Sequence, residues 1–227
     1  MDFINVYLIL KRETPGFFNG FVVNIMISVL SMFFGTLAGV LTGRLRHGKA
    51  LVVRAGGNFV TSIFRNTPSF ILMFYLAYII PVEFAYGNQV IRIAPWIKAT
   101  LALAFPVIGF VSDQTFSHLE KIKNGEKTYP SMLILSWLQF FIIILMASST
   151  ASVIGAEDIV STANALIATY QEPNMIYVIY GYVALWFMVA GLSIHFGVDF
   201  LVKRRLPAPS LPDVPDAGPG DAGVSQT

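Results

Sequence analysis

The sequence predicts an all-α, polytopic membrane protein with five transmembrane helices, its N-terminus out and its C-terminus in. Three observations carry this. Apolar residues make up 55% of the 227-residue chain and charged residues only 12%, and the mean hydropathy is +0.67, a balance foreign to soluble domains. The apolar surplus is gathered into stretches at about 17–41, 55–80, 96–114, 132–147 and 175–202, and a bilayer core of roughly 30 Å asks for about 20 residues of helix. With the N-terminus outside, 11 of the 15 Lys and Arg residues fall on one side of these spans. That side is the cytoplasm by the positive-inside rule.

Residues 1–16 read as an interfacial segment with Phe3, Val6, Leu8 and Ile9 as its apolar contacts. Lys11 and Arg12 follow and no A-x-A site is present, which argues against a cleaved signal peptide. The first span, 17–41, runs into Gly35, Gly39 and Gly43, two overlapping G-x-x-x-G patterns on one helical face. Without Cβ atoms there, another helix can approach closely. A basic loop of Arg44, Arg46, His47, Lys49 and Arg54 comes next. Gly43 to Ala50 nearly matches a phosphate-binding loop, but Ala50 stands where a Mg²⁺-ligating hydroxyl belongs and no strand precedes it. Nucleotide binding is excluded here.

The second span, 55–80, organises the chain. Its clean apolar run, Ser69 to Ile80, has 12 residues, about 18 Å of helix at ~1.5 Å per residue. A spanning helix must therefore begin before Pro68 and carry Arg65 at or within the membrane. Proline removes an N–H and clashes with the preceding turn, so a bend is expected near Asn66. A charge beside a kink usually faces an interior cavity, which makes Arg65, Asn66, Thr67 and Pro68 kink and cavity-facing candidates. Interfacial snorkelling of Arg65 is the alternative.

A loop through Glu83, Asn88 and Arg92 leads to Trp96, an interface anchor that opens the third span, 96–114. Pro106 lies inside it, Lys98 is placed to snorkel, and Asp113 and Gln114 mark its far end. Ser117 to Pro130 reads as a polar loop. The fourth span, 132–147, contains Gln139 and ends in the hydroxyl-rich Ser148 to Ser152. Residues 157–170 form an extracytoplasmic amphipathic helix whose apolar face is Ile159, Ala163, Leu166, Ile167 and Tyr170. Glu157 and Asp158 favour its N-terminus. The last span, 175–202, closes with Lys203, Arg204 and Arg205, and 206–227 reads as a disordered tail rich in Pro, Gly, Ala and Asp.

Several chemistries are excluded. Cys is absent, so no disulfide, thiolate nucleophile or Cys-ligated metal site is expected. His47, His118 and His195 are scattered, and neither a metal site nor a catalytic constellation is expected. The net charge of +2 gives no stripe for nucleic acid. Asn24, Ser28, Ser31 and Gln139, with Asn66 and Thr67, are candidates for a polar translocation path. Each is weighed against simple helix–helix hydrogen bonding.

Arg65-Asn66-Thr67-Pro68, followed by an apolar run ending in Ile80-Pro81, resembles the R-G-T-P element of the membrane subunits of ABC importers for polar amino acids. Gly35 to Arg54 is similar to that family's small-residue first helix and basic loop. Ser149-Thr150-Ala151-Ser152-Val153-Ile154-Gly155-Ala156-Glu157-Asp158 resembles its T-S-L-A-S-x-I-G segment and the acidic helix after it. The resemblance runs from about Phe17 to Arg205 and implies a type I importer permease fold within 17–205. It also implies a bacterial inner-membrane location, a second permease subunit, separate ABC ATPase subunits holding ATP and Mg²⁺, and an extracytoplasmic solute-binding protein facing Glu157 and Asp158. This chain would then be neither an enzyme nor a cofactor carrier.

The family's ATPase-docking loop is where the sequence departs. Asp113 stands in place of its acidic residue, and Ile122, Gly125 and Glu126 keep the spacing of its Ile, Gly and Gln, with Glu120 beside them. Thr128-Tyr129-Pro130 then occupies the E-A-A position, and only 20 residues, Thr128 to Ala147, precede Ser148. A docking helix and its return would need roughly 25 more. Two expectations follow: an importer subunit with weakened or lost ATPase docking, or a non-transporting structural or regulatory subunit that keeps the permease fold.

Overall fold

The computed structural model describes residues 3–86, 89–128 and 130–205; Asn88 and the expected tail at 206–227 lie outside them. In chain order the elements are α1 (Phe3–Arg46), α2 (Leu51–Asn66), α3 (Ser69–Ile79), a hairpin of β1 (Glu83–Tyr86) and β2 (Gln89–Arg92), and α4 (Pro95–Lys123). Then come α5 (Pro130–Ala147), a 3₁₀ turn (Ser148–Ile154), α6 (Ile159–Tyr170) and α7 (Pro173–Arg205). Among the described residues, four helical segments are long and apolar enough to cross a membrane: Val6–Arg46, Pro95–Lys123, Ser131–Ile154 and Pro173–Val198.

The first glycine pattern fixes how α1 and α4 meet. Cβ atoms added at Gly35, Gly39 and Gly43 would lie 2.5, 2.6 and 2.7 Å from the Cβ atoms of Val107, Val111 and Thr115. Both helices advance four residues per contact, so they run parallel. In α5, Trp137 donates to Thr36 at 2.8 Å and, just past its end, Ser148 reaches Asn24 at 3.0 Å; the order is reversed, and α5 runs antiparallel. Phe17 against Tyr182 and Phe21 against Trp186 make α7 parallel to α1.

Most boundaries differ from the sequence reading, and the larger differences have a physical reason. The segment 1–16 is not separate: α1 passes through Pro15 without a break. An interior proline costs about 3 kcal/mol, but Val6 and Ile9 are buried in one core with Phe17, Ile159, Met175 and Ile179, and that packing holds the first turns in line. The span 55–80 is not one kinked helix but two. Thr67 (ψ 119°) and Pro68 (ψ 121°) are both extended, because the ring of a proline drives the residue before it out of the α region. At 16 and 11 residues, neither half crosses a bilayer alone.

The third span is longer than 96–114. Ser117 to Lys123, read as loop, continue α4 until Gly125 stops it. There φ is 74°, Glu126 N–H donates to Lys121 O and Gly125 N–H to Ile122 O, a left-handed cap that suits glycine. Pro130 opens α5 at the helix position that tolerates proline best, two residues before the expected start. Glu83 to Arg92 is a hairpin rather than a plain loop, with Glu83 paired to Arg92 at both backbone and side chain (2.8 Å).

Lys98 does not snorkel. It is buried, and its Nζ donates to Ile80 O at 2.6 Å and Ala77 O at 3.2 Å. A cation at the C-terminal end of α3 faces the negative end of its dipole and satisfies carbonyls that the helix leaves open. Lys98→Met is expected to loosen α3 from α4 and lower stability by about 1–2 kcal/mol. Thermal unfolding in detergent reads this, and an unchanged midpoint would mean that water serves those carbonyls equally well.

Candidate functional site

The break at Thr67–Pro68 sits against α4. A Cβ at Gly109 would lie 2.8 Å from Arg65 N, so the end of α2 rests flush on α4, and Phe64 packs edge-on against Phe105. This seats Arg65 opposite Asp113, whose Oδ2 it meets at 3.1 Å. The other carboxylate oxygen accepts from Arg46 at 2.6 Å. Arg46 also donates to Asn58 and Ser112 and lies 4.7 Å over the Phe116 ring. Thr61 joins Ser112 at 2.7 Å. One carboxylate thus ties α1, α2 and α4 together at a single level.

The two halves of this hub differ in weight. The Arg46 side chain is 13% exposed and that of Arg65 is 58%. The shielded, short, charge-assisted bond from Arg46 is the stronger. The Arg65 pair contributes about 0–1 kcal/mol in solvent, so Arg65 holds little of the fold. It lines a cleft of about 390 Å³ with Pro106, Phe110, Asp113, Gln114 and Phe140. Asn66 is exposed and bonds Ser62, Thr67 bonds back to Ile63 O, and Pro68 is exposed.

The polar-path candidates part company. Asn24, Ser28 and Ser31 are fully buried within the chain. Ser28 donates to Asn24 O, Ser31 to Thr100 O, and Asn24 to both Ser148 and Asp158 while accepting from Ile159 N. Asn24 ties α1 to the 3₁₀ turn and α6, Ser31 ties α1 to α4, and Ser28 bonds back within α1, so within this chain each is satisfied internally. Buried amides and hydroxyls satisfy one another when no water reaches them. Gln139 is exposed on α5.

Asp158 also departs from expectation. Of the pair expected to face a soluble partner, only Glu157 is exposed. Asp158 is fully buried, caps α6 by accepting from Ser161 N at 2.8 Å, and takes Asn24 Nδ2 at 3.1 Å. Burial pushes its carboxyl up to about 6 against the hydrogen bonds that favour the charge. An aspartate before an apolar run is an N-cap signal, and that signal is legible in the sequence.

Of the loop candidates, Asp113 belongs to the hub. Glu120 Oε1 lies 3.4 Å from His47 Nδ1, which joins the start of the α1–α2 connection to α4. Ile122 is exposed at 53%, and Gly125 and Glu126 are the helix stop and the residue after it. Residues 124–129 are all that separates α4 from α5. The sequence reading misses Gly20 and Gly109. A Cβ at Gly20 would lie 2.7 Å from the Asp158–Ile159 backbone, and neither glycine belongs to the four-residue series that flags the others. Among the described residues no cluster of His, Asp and Glu is set to hold a metal.

The fold has a counterpart among solved structures. One described as a crystal structure of an amino acid ABC transporter with histidines superposes at a TM-score of 0.70, with 16% identity over 90% of this chain and 99% of that one. The two chains share a fold. With four bilayer-length apolar helices, it is the fold of a multi-pass membrane protein. No protein-family model matches the sequence, and no curated protein does.

Proposed function

We propose that this chain is a membrane subunit of an ATP-driven ABC importer for polar amino acids or related small polar solutes. In this reading it pairs with a second permease subunit in a bacterial inner membrane, receives solute from an extracytoplasmic binding protein, and leaves ATP hydrolysis to separate subunits. The observation that carries it is the shared fold over nine-tenths of the chain.

The parallel course of α1 and α4 supports the five-span form. An odd number of crossings must join two parallel spans, and only the α2–α3 pair and the hairpin lie between them. Thr61 lies beside Ser112, and Ala77 beside Lys98; those α4 positions are about 21 Å apart at ~1.5 Å per residue. The broken pair thus makes the return crossing, with the break in its course and Arg65 facing the cleft.

Among the described residues, the connection after Lys123 holds no helix for an ATPase cleft, so docking falls to the partner permease. Replacing 124–128 with Gly and Ser residues is expected to leave ATPase turnover of the complex within about twofold, since exposed loop contacts contribute ~0–1 kcal/mol. An uncoupled complex would make this loop a docking element after all.

The non-transporting reading gains from one observation: Asn24, Ser28 and Ser31 hydrogen-bond inside the chain and offer no polar path. Uptake decides between the two. The complex purified from its native membrane, identified by mass spectrometry and reconstituted with its binding protein, should accumulate radiolabelled polar amino acids in an ATP-dependent way. Arg65→Ala should lower uptake at least tenfold with a stability loss under about 1 kcal/mol. Full uptake by that variant would move Arg65 to the interface and out of the mechanism.

A further inference from the structure

We propose that the junction of α4 and α5 holds one anionic phospholipid, its headgroup phosphate beside Lys121 and Lys127 and an acyl chain in the cleft beneath. Two hollows adjoin there. The smaller, about 110 Å³, is lined by His118, Lys121, Lys127 and Thr128. The larger is the 390 Å³ cleft, walled by Pro106 and by the rings of Phe110 and Phe140, stacked 4.1 Å apart and 2° from parallel. Gln114 and Ser117 line both, so a basic, hydroxyl-bearing mouth opens directly into an apolar slot.

Depth places this path across the headgroup boundary. Counted along α4 from Trp96, Ser117 lies about 32 Å away and Pro106 about 15 Å, at ~1.5 Å per residue. A hydrocarbon core is roughly 30 Å thick, which sets the mouth at headgroup level and the slot within one leaflet. Charge agrees with depth. Lys121, Lys127 and Arg65 are cations, and the one carboxylate lining either hollow, Asp113, is already held by Arg46 and Arg65. Basic pockets between helices on the positive side of a membrane suit anionic headgroups. A free phosphate would use the mouth but leave the aromatic slot without a purpose. The inference rests on the membrane placement of the apolar helices and is independent of transport.

Native mass spectrometry of the full chain, extracted with whatever subunits accompany it, counts the phosphatidylglycerol that survives delipidation. One retained molecule is expected. K121Q/K127Q should bind it roughly 10- to 30-fold more weakly, as the loss of two interfacial cations implies. K49Q/R54Q, which removes two exposed charges outside the pocket, should bind it normally. Ser117→Trp, which fills the shared wall from an exposed position, should also lose it. In nanodiscs, phosphatidylglycerol mixed with phosphatidylcholine should raise the unfolding midpoint of the wild type above that in pure phosphatidylcholine, and not that of K121Q/K127Q. A benzophenone placed at Thr128→Cys, the chain's single cysteine and a residue of the mouth alone, should cross-link lipid. Equal losses in both double variants, normal retention in K121Q/K127Q, equal stabilisation by inorganic phosphate, or cross-linking of Thr128→Cys to a protein subunit would each overturn the proposal.

Discussion

Gly39→Leu is expected to cut the yield of folded protein in the membrane several-fold, while Gly56→Leu and Gly181→Leu express as the wild type does. The contrast follows from what each new side chain would meet. A Cβ at Gly39 already lies 2.6 Å from Val111 Cβ and 3.0 Å from Ile108 O, and a leucine adds three more carbons beyond it. The opposing atoms are a β-carbon and a backbone carbonyl, which cannot swing aside. Overpacking typically costs 1–3 kcal/mol where side chains can yield, so about 3 kcal/mol or more is expected here, against a total stability of order 5–15. The neighbouring contacts at Gly35 and Gly43 are as close, so the helices cannot tilt about one glycine to make room. Nothing lies within 4 Å of a Cβ at Gly56 or Gly181. Fluorescence-detected size-exclusion of detergent extracts reads the outcome. A monodisperse peak of wild-type height for Gly39→Leu would mean that α1 and α4 do not pack along this seam in the membrane.

That seam is the most legible part of the fold, because a four-residue glycine series states a helix face and a close approach in one pattern. The four bilayer-length helices are equally plain in the apolar stretches, while the fifth expected span is two shorter helices. What sequence does not carry is the partner of each group. Gly109 and Gly20 look like ordinary membrane glycines until Arg65 and Asp158 arrive from elsewhere in the chain. Lys98 reads as a snorkelling cation because the open carbonyls of α3 that it caps are about 20 residues away in sequence. Arg65 stands out through the nearby Pro68, yet its carboxylate partner Asp113, which ties three helices, reads as the far end of the third span and, by resemblance, as part of a docking loop. Helix ends mislead for a related reason. A polar run such as Ser117 to Lys123 looks like loop, and only the left-handed Gly125 shows where the helix stops. Pro15 misleads in reverse, since core contacts from Val6 and Ile9 outweigh its local preference.

Asp158→Ala is expected to lower stability by about 2–4 kcal/mol, and the wild type should itself lose stability as pH rises from 4 to 7. The carboxylate caps α6, which alone contributes about 1 kcal/mol, and it accepts from the buried Asn24 amide, whose abandonment costs about 1–3 more. Asn24 in turn serves Ser148 and Ile159 N, so one pair of side chains joins α1, the 3₁₀ turn and α6. Asn24→Leu should therefore cost nearly as much, and Asn24→Leu with Asp158→Ala far less than the sum of the two, as expected within one network. The pH trend has a fixed sign. Burial raises the folded-state carboxyl from 3.8 to about 6, so between these values the folded chain binds more protons than the unfolded one. Stability is then greatest below the unfolded value and falls as pH climbs through about 6, by at most ~1.4 kcal/mol for each pH step of one. Asp158→Asn removes this slope while keeping a capping oxygen for Ser161 N. Differential scanning fluorimetry of detergent-solubilised protein at pH 4.5, 6 and 7.5 separates the two contributions. An identical slope in wild type and Asp158→Asn would assign the pH dependence to other groups, and additive losses in the double variant would dissolve the network into independent contacts.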